Sequence, residues 1–182
     1  VSGARNVSGQ AYALTVLTPI RHERESELVE VLDGLLSGAH SPLAKAKGTH
    51  FARWVVIEDV VYQGEGQRRD HLDRGRLLFT SNFDGDLDTY LENLRTGLGA
   101  QADAIWANCL GYPGHADAER FASYLRAHQV ESSLFFAAYG DRTVDQVHSS
   151  LQTRQRLARF ALNAQGRQPA ELKRTFLEEF GG

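Results

Sequence analysis

The chain has 182 residues, 42% of them hydrophobic and 24% charged, which suits one domain, or one domain with a substantial extension. Its 20 Lys and Arg against 23 Asp and Glu leave a formal charge of −3, which argues against a generic binder of nucleic-acid backbones. No apolar run approaches the roughly 20 residues that cross a bilayer, and no basic segment precedes an apolar stretch, so neither a membrane partner nor a secretory leader is expected.

A single cysteine, Cys109, excludes an intrachain disulfide and points to a reducing, cytoplasmic home. Residues 1–10, rich in Ser, Gly and Asn, read as a flexible N-terminal arm. Residues 12–18 are β-branched and aromatic and stop at Pro19, which predicts a first strand. Glu23, Glu25 and Glu27 then sit where a helix dipole favours negative charge. Leu28, Val31, Leu32, Leu35 and Leu36 follow at helical spacing, with Gly38 as the stop. Residues 49–62 predict a long second strand, and the polar, Gly-containing residues 63–75 a mobile connection. Residues 76–83 predict a third strand.

Asp84-Gly85-Asp86 breaks that strand and offers a capping carboxylate to a second helix, whose apolar face carries Leu87, Tyr90, Leu91, Leu94 and Leu98. Residues 105–112 predict a fourth strand, closed by Pro113-Gly114. The order β-α-β-β-α-β over residues 11–113 implies a ferredoxin-like antiparallel sheet in an α+β protein, with both helices on one face. Residues 114–182 read as a mostly helical extension packed on that core. It has a helix around Phe121, a strand at 134–139, a long helix at 144–164 and a short terminal helix, with Gly166 and Pro169 between the last two.

Alternation in the second strand puts Phe51, Val55 and Ile57 on one face and Trp54 and Val56 on the other. Both faces are apolar, so a second subunit or the extension must cover the face away from the helices. Arg53 belongs to the Phe51 face, where a guanidinium needs an anionic or hydrogen-bonding partner. An ion pair with Asp84 or a helix carboxylate would satisfy it; a bound carboxylate, enolate or other anion is the functional alternative. His50, one strand position outside the opposite face, is a candidate acid or base near a pocket mouth. Thr80 and Asn82 share a face of the third strand and could orient a ligand, with Trp54, Trp106 and Tyr112 as pocket walls.

Other motifs carry less. Asp84-Gly85-Asp86 fails as a calcium loop, because aligning Gly85 puts Thr80 and Leu91 at the anchoring positions. The seven histidines have no short ligand spacing, so no metal site is predicted. His148 shares a helical face with Val144, Val147 and Leu151, which leaves an axial haem ligand as a minority alternative. No Gly-x-Ser-x-Gly, dinucleotide or phosphate loop occurs, and Cys109 reads as inert core. Arg74-Gly75 opens the third strand as an RNA-binding domain would, yet Leu77, Leu78 and Thr80 supply no aromatic ladder.

The element order, with its apolar second sheet face and strand-borne polar residues, resembles the dimeric α+β barrel superfamily. That group includes small antibiotic-biosynthesis monooxygenases, EthD-like proteins, and haem proteins such as chlorite dismutases and dye-decolorising peroxidases. The likeness covers residues 11–112 and is architectural, so it transfers no catalytic residue. It implies a homodimer with a pocket on the sheet. Three readings follow: an oxygenase- or cyclase-like enzyme for a small apolar or anionic ligand, using Arg53 and His50; a non-catalytic ligand-binding or assembly module; and a haem protein using His148. No other cofactor is expected.

Overall fold

A computed structural model describes residues 5–62, 64–66, 68 and 70–181. Its strands are β1 (Val7–Ser8), β2 (Ala11–Pro19), β3 (Thr49–Ile57) and β4 (Arg76–Asp84). Its α-helices are α1 (Glu25–Asp33), α2 (Leu87–Leu98), α3 (Ala100–Trp106), α4 (Ala118–Ala127), α5 (Val144–Asn163) and α6 (Pro169–Phe180). Short 3-10 turns occupy Gly38–His40 and Pro42–Lys45. The chain divides into two compact units, residues 1–144 and 145–182. None of the helices among the described residues is long and apolar enough to cross a membrane.

The first unit is built on one antiparallel sheet of order β1-β2-β4-β3. β4 lies at its centre, paired to β2 from Ala11↔Asp84 to Pro19↔Arg76 and to β3 from Thr49↔Phe83 to Ile57↔Arg76. Side chains alternate across it. Leu14, Val16 and Thr18 of β2 and Leu77, Phe79, Ser81 and Phe83 of β4 are buried on one face. Leu28 of α1 and Tyr90, Leu91, Leu94 and Leu98 of α2 join the same core, so both helices cover that face as the element order predicts. Asp86 caps α2 by accepting from the Thr89 N–H at 2.9 Å.

The predicted fourth strand does not form. Residues 105–112 begin in α3, whose Ala102, Ile105 and Trp106, together with Cys109, are buried at the spacing of a helix face. The free edge of β2 is closed instead by three short pieces. β1 pairs Val7↔Tyr12 and Ser8↔Ala11. Further along, Leu17 N–H donates to His128 O and Val130 N–H to Thr15 O. At the far end Leu110 N–H donates to Pro19 O and Arg21 N–H to Asn108 O. The result is an α+β unit compatible with a ferredoxin-like arrangement, but with a different strand order and a composite edge.

Three other expectations change. Residues 1–4 of the predicted arm lie outside the described residues, while the rest of it is ordered: β1 joins the sheet and Asn6 is buried. The second strand ends at Ile57 rather than Tyr62: its partner β4 begins at Arg76, opposite Ile57, and beyond that point Asp59 accepts the Val60 and Leu72 N–H groups at 2.8 Å each. Residues 134–139 form no strand; the place beside β2 is already filled. They are moored by close passage of Gly140 over Gly9, where a side chain on either would strike backbone at 2.3 Å.

The second unit is the antiparallel-capable pair α5 and α6, in which no residue is buried. Phe160, Phe176 and Phe180 cluster with centroids 5.0–5.7 Å apart, and the Arg156 guanidinium lies 5.0 Å from the Phe180 ring centre.

Candidate functional site

The sheet face away from the helices is open. Cross-strand register arranges it in rows: Ala13-Asn82-Phe51, Thr15-Thr80-Arg53 and Leu17-Leu78-Val55. Polar and apolar rows therefore lie side by side, and Phe51, Arg53 and Val55 are exposed. A groove of about 510 Å³ runs over Ala13, Thr15, Phe51, Arg53, Thr80 and Asn82. Arg53 Nε donates to Thr80 Oγ1 at 3.2 Å. Among the described residues no carboxylate lies within ion-pair distance of Arg53, so the terminal guanidinium nitrogens remain free to grip a planar anion.

The carboxylate expected for Arg53 serves His50 instead. His50 Nε2 lies 2.7 Å from Asp84 Oδ1, and Asp84 Oδ2 accepts the Val144 N–H at 2.7 Å. The pairing register shifts between Thr49 and Phe51, leaving His50 as the extra residue of a bulge. A bulge re-aims one side chain relative to the alternation, which brings His50 to Asp84. His50 and Phe51 also line a second groove of about 340 Å³, beside Ser41, Leu43 and Thr49. Phe51 thus borders both grooves.

No family model, curated protein or solved structure matches this chain. The geometry alone carries the functional argument.

Of the residues singled out from sequence, the fold gathers Arg53, Thr80 and Asn82 on the open face. Trp54, Trp106 and Tyr112 lie on the other side of the sheet, among the helices. Trp106 packs edge-on against Trp54, Phe79 and Phe121. Among the described residues the indole N–H groups of Trp54 and Trp106 are buried without a hydrogen-bond partner. Tyr112 donates to Asp103 Oδ1 at 2.8 Å. These three are core and clamp, not walls of the groove. His148 stands exposed on α5, and its neighbours Val147 and Leu151 are exposed too, so no apolar pocket surrounds it within its own helix.

Two polar clusters escaped the sequence reading. Asp103 accepts Tyr112 Oη, the His115 N–H at 2.8 Å and His115 Nδ1 at 2.6 Å. Burial alone would raise its carboxyl, but these three hydrogen bonds outweigh burial and hold it below its ordinary value. On the core side, Tyr90 Oη lies 2.6 Å from Ser81 Oγ and 3.2 Å from Thr49 Oγ1, and burial pushes its phenol upward. The first cluster is local, spanning Asp103 to His115 across a turn with no sequence period to mark it; the second needs Thr49, which only the antiparallel register brings to Tyr90. Cys109 is buried, with its thiol pushed up to about 11 by burial, so it is no nucleophile at neutral pH. Among the described residues no three His, Cys, Asp or Glu side chains gather to hold a metal ion.

Proposed function

We propose that the open sheet face binds a small apolar ligand bearing an anionic group, within a homodimer of the dimeric α+β barrel type that closes the face over. One observation carries this: Arg53 stands exposed between Phe51 and Val55, tied by a single side-chain hydrogen bond and unneutralised by any carboxylate among the described residues. With its terminal nitrogens in solvent, that guanidinium can accept an anion without breaking an ion pair. Thr15, Thr80 and Asn82 supply further hydrogen-bonding groups beside apolar Phe51 and Leu78, a mixture suited to a ligand with one charged end. For an oxygenase- or cyclase-like reaction, His50 held by Asp84 is the group that would move a proton.

The non-catalytic reading uses the same face and the same arginine, and differs only in leaving His50 idle. The haem reading has less support, since His148 lacks an apolar enclosure of its own.

An apolar arylsulfonate dye tests the binding surface by fluorescence titration. Arg53→Gln is expected to weaken dye binding about tenfold, the loss of one charge-assisted hydrogen bond, with the melting temperature nearly unchanged. Unchanged affinity together with a large drop in melting temperature would assign Arg53 to structure and end this reading.

A further inference from the structure

Among the described residues, the first unit contains a strand edge without a neighbour and a strand-like segment without a sheet. The edge is β3, which lies at the end of the order β1-β2-β4-β3 and pairs only with β4. It is nine residues long, and Phe51 and Val55 are 76% and 41% exposed. An apolar edge of this length is a template for another strand unless something covers it.

The segment is residues 134–138, Leu-Phe-Phe-Ala-Ala. It contains no proline and no charge. Its exposure alternates with the period of a strand: 134, 136 and 138 face solvent, whereas 135 and 137 are half-buried. Leu134 and Phe136 are 87% and 79% exposed, and Tyr139 just beyond is 76% exposed. Side chains of this size are seldom left so bare without a partner surface.

The segment cannot serve its own β3. It is tied to the opposite edge of the sheet, where Ala137 N–H donates to Ser8 Oγ at 3.3 Å and Gly140 O accepts Gln10 N–H at 2.5 Å. β2 and β4 lie between. A second copy of the chain has no such obstacle. We infer that residues 134–138 of one copy add as a strand to the β3 edge of a second copy, and that the second copy returns the contact.

Reciprocity closes the assembly at two chains, as two-fold symmetry requires, instead of propagating a fibre. Charge does not oppose the pairing: Arg53 is the one permanent charge in β3, and the donor run 132–140 carries none to repel it. Area agrees with it. Covering Phe51, Leu134, Phe136 and Tyr139 removes on the order of 600 Å² per copy before any backbone is counted, against about 800 Å² per partner in a stable interface.

This inference rests on the reading of the open face as a site closed by a second copy. A complementation experiment on the full chain separates the two. The donor variant is Leu134→Asp with Phe136→Asp; the acceptor variant is Phe51→Asp with Val55→Asp. All four positions are exposed, and circular dichroism with a thermal melt confirms that each variant folds. Light scattering should report a dimer for the wild type and a monomer for each variant alone. An equimolar mixture should regain the dimer mass, because one donor and one acceptor remain intact and can meet. A monomeric wild type overturns both the dimer and the strand exchange. A donor variant that stays dimeric overturns the strand exchange and leaves the open-face dimer standing; a mixture that stays monomeric overturns the strand exchange.

Discussion

Arg53 has five donor hydrogens and commits one of them, to Thr80. Its face was legible in the sequence, since a period of two admits no other neighbours than Phe51 and Val55. Its partner was not. The bulge at the start of β3 hands Asp84 to His50, and no local pattern announces a bulge. Two titrations test the residue scale. Asp59 is lowered from 3.8 to about 2, chiefly by the Leu72 N–H, then by His71 and the Val60 N–H. A lowered carboxyl holds its contacts above its ordinary value and loses them as pH falls through the lowered one. The Leu72 and Val60 amide resonances should therefore shift with a midpoint near 2; a midpoint near 3.8 would mean the hydrogen bonds are absent in solution. Cys109, raised to about 11, runs the other way: its contribution is full below its ordinary value of 9.0 and fades as pH rises through 11. A disulfide reagent at pH 8 should leave the native thiol untouched and modify it fully in denaturant.

At the scale of elements, the sequence revealed β2, β4 and α2 nearly to the residue, because each has one clean period and a stop at its end, and it placed α4 around Phe121 without bounds. Ile105 and Trp106 show why the fourth strand misled. A short apolar run fits a strand or a buried helix equally well, and the deciding signal was the wider set Ala102, Ile105, Trp106 and Cys109 at helical spacing. Residues 58–62 misled for another reason: their β-propensity is real, but β4 begins opposite Ile57 and pairs no further residue of this run. Gly97 tests the packing of α2. A Cβ there would lie 2.8 Å from Ala46 N and 2.9 Å from Lys45 C, against the 3-10 turn Pro42–Lys45. Gly→Ala inside a helix normally gains about 1 kcal/mol. Here overpacking against backbone should exceed that gain, and Gly97→Ala should lower stability by about 1–2 kcal/mol in urea melts. A stabilised variant would show that the turn yields.

For the whole molecule, the division at residue 144 sets a sharp contrast. The first unit holds every residue of the buried core, whereas α5 and α6 bury none. A helical pair of this length has too little interior to be stable alone. Truncation after Val144 should therefore shift the melting temperature of the remainder by less than about 4 °C, the equivalent of about 1 kcal/mol. A larger loss would mean that the two helices stabilise the rest of the chain. A peptide of residues 145–182 should show weak helicity in water.

The composite edge of β2 has a consequence for synthesis. β2 is complete once Pro19 has been made, with β1 already beside its start, but the pieces that seal the rest of its edge come from residues 108–110 and 128–130. At about 5–20 residues per second, a ribosome needs roughly 6–22 s to make the intervening ~110 residues. Through that interval the nascent chain carries an uncharged run with high β-propensity and an unsealed edge, which gives holdase chaperones a natural client.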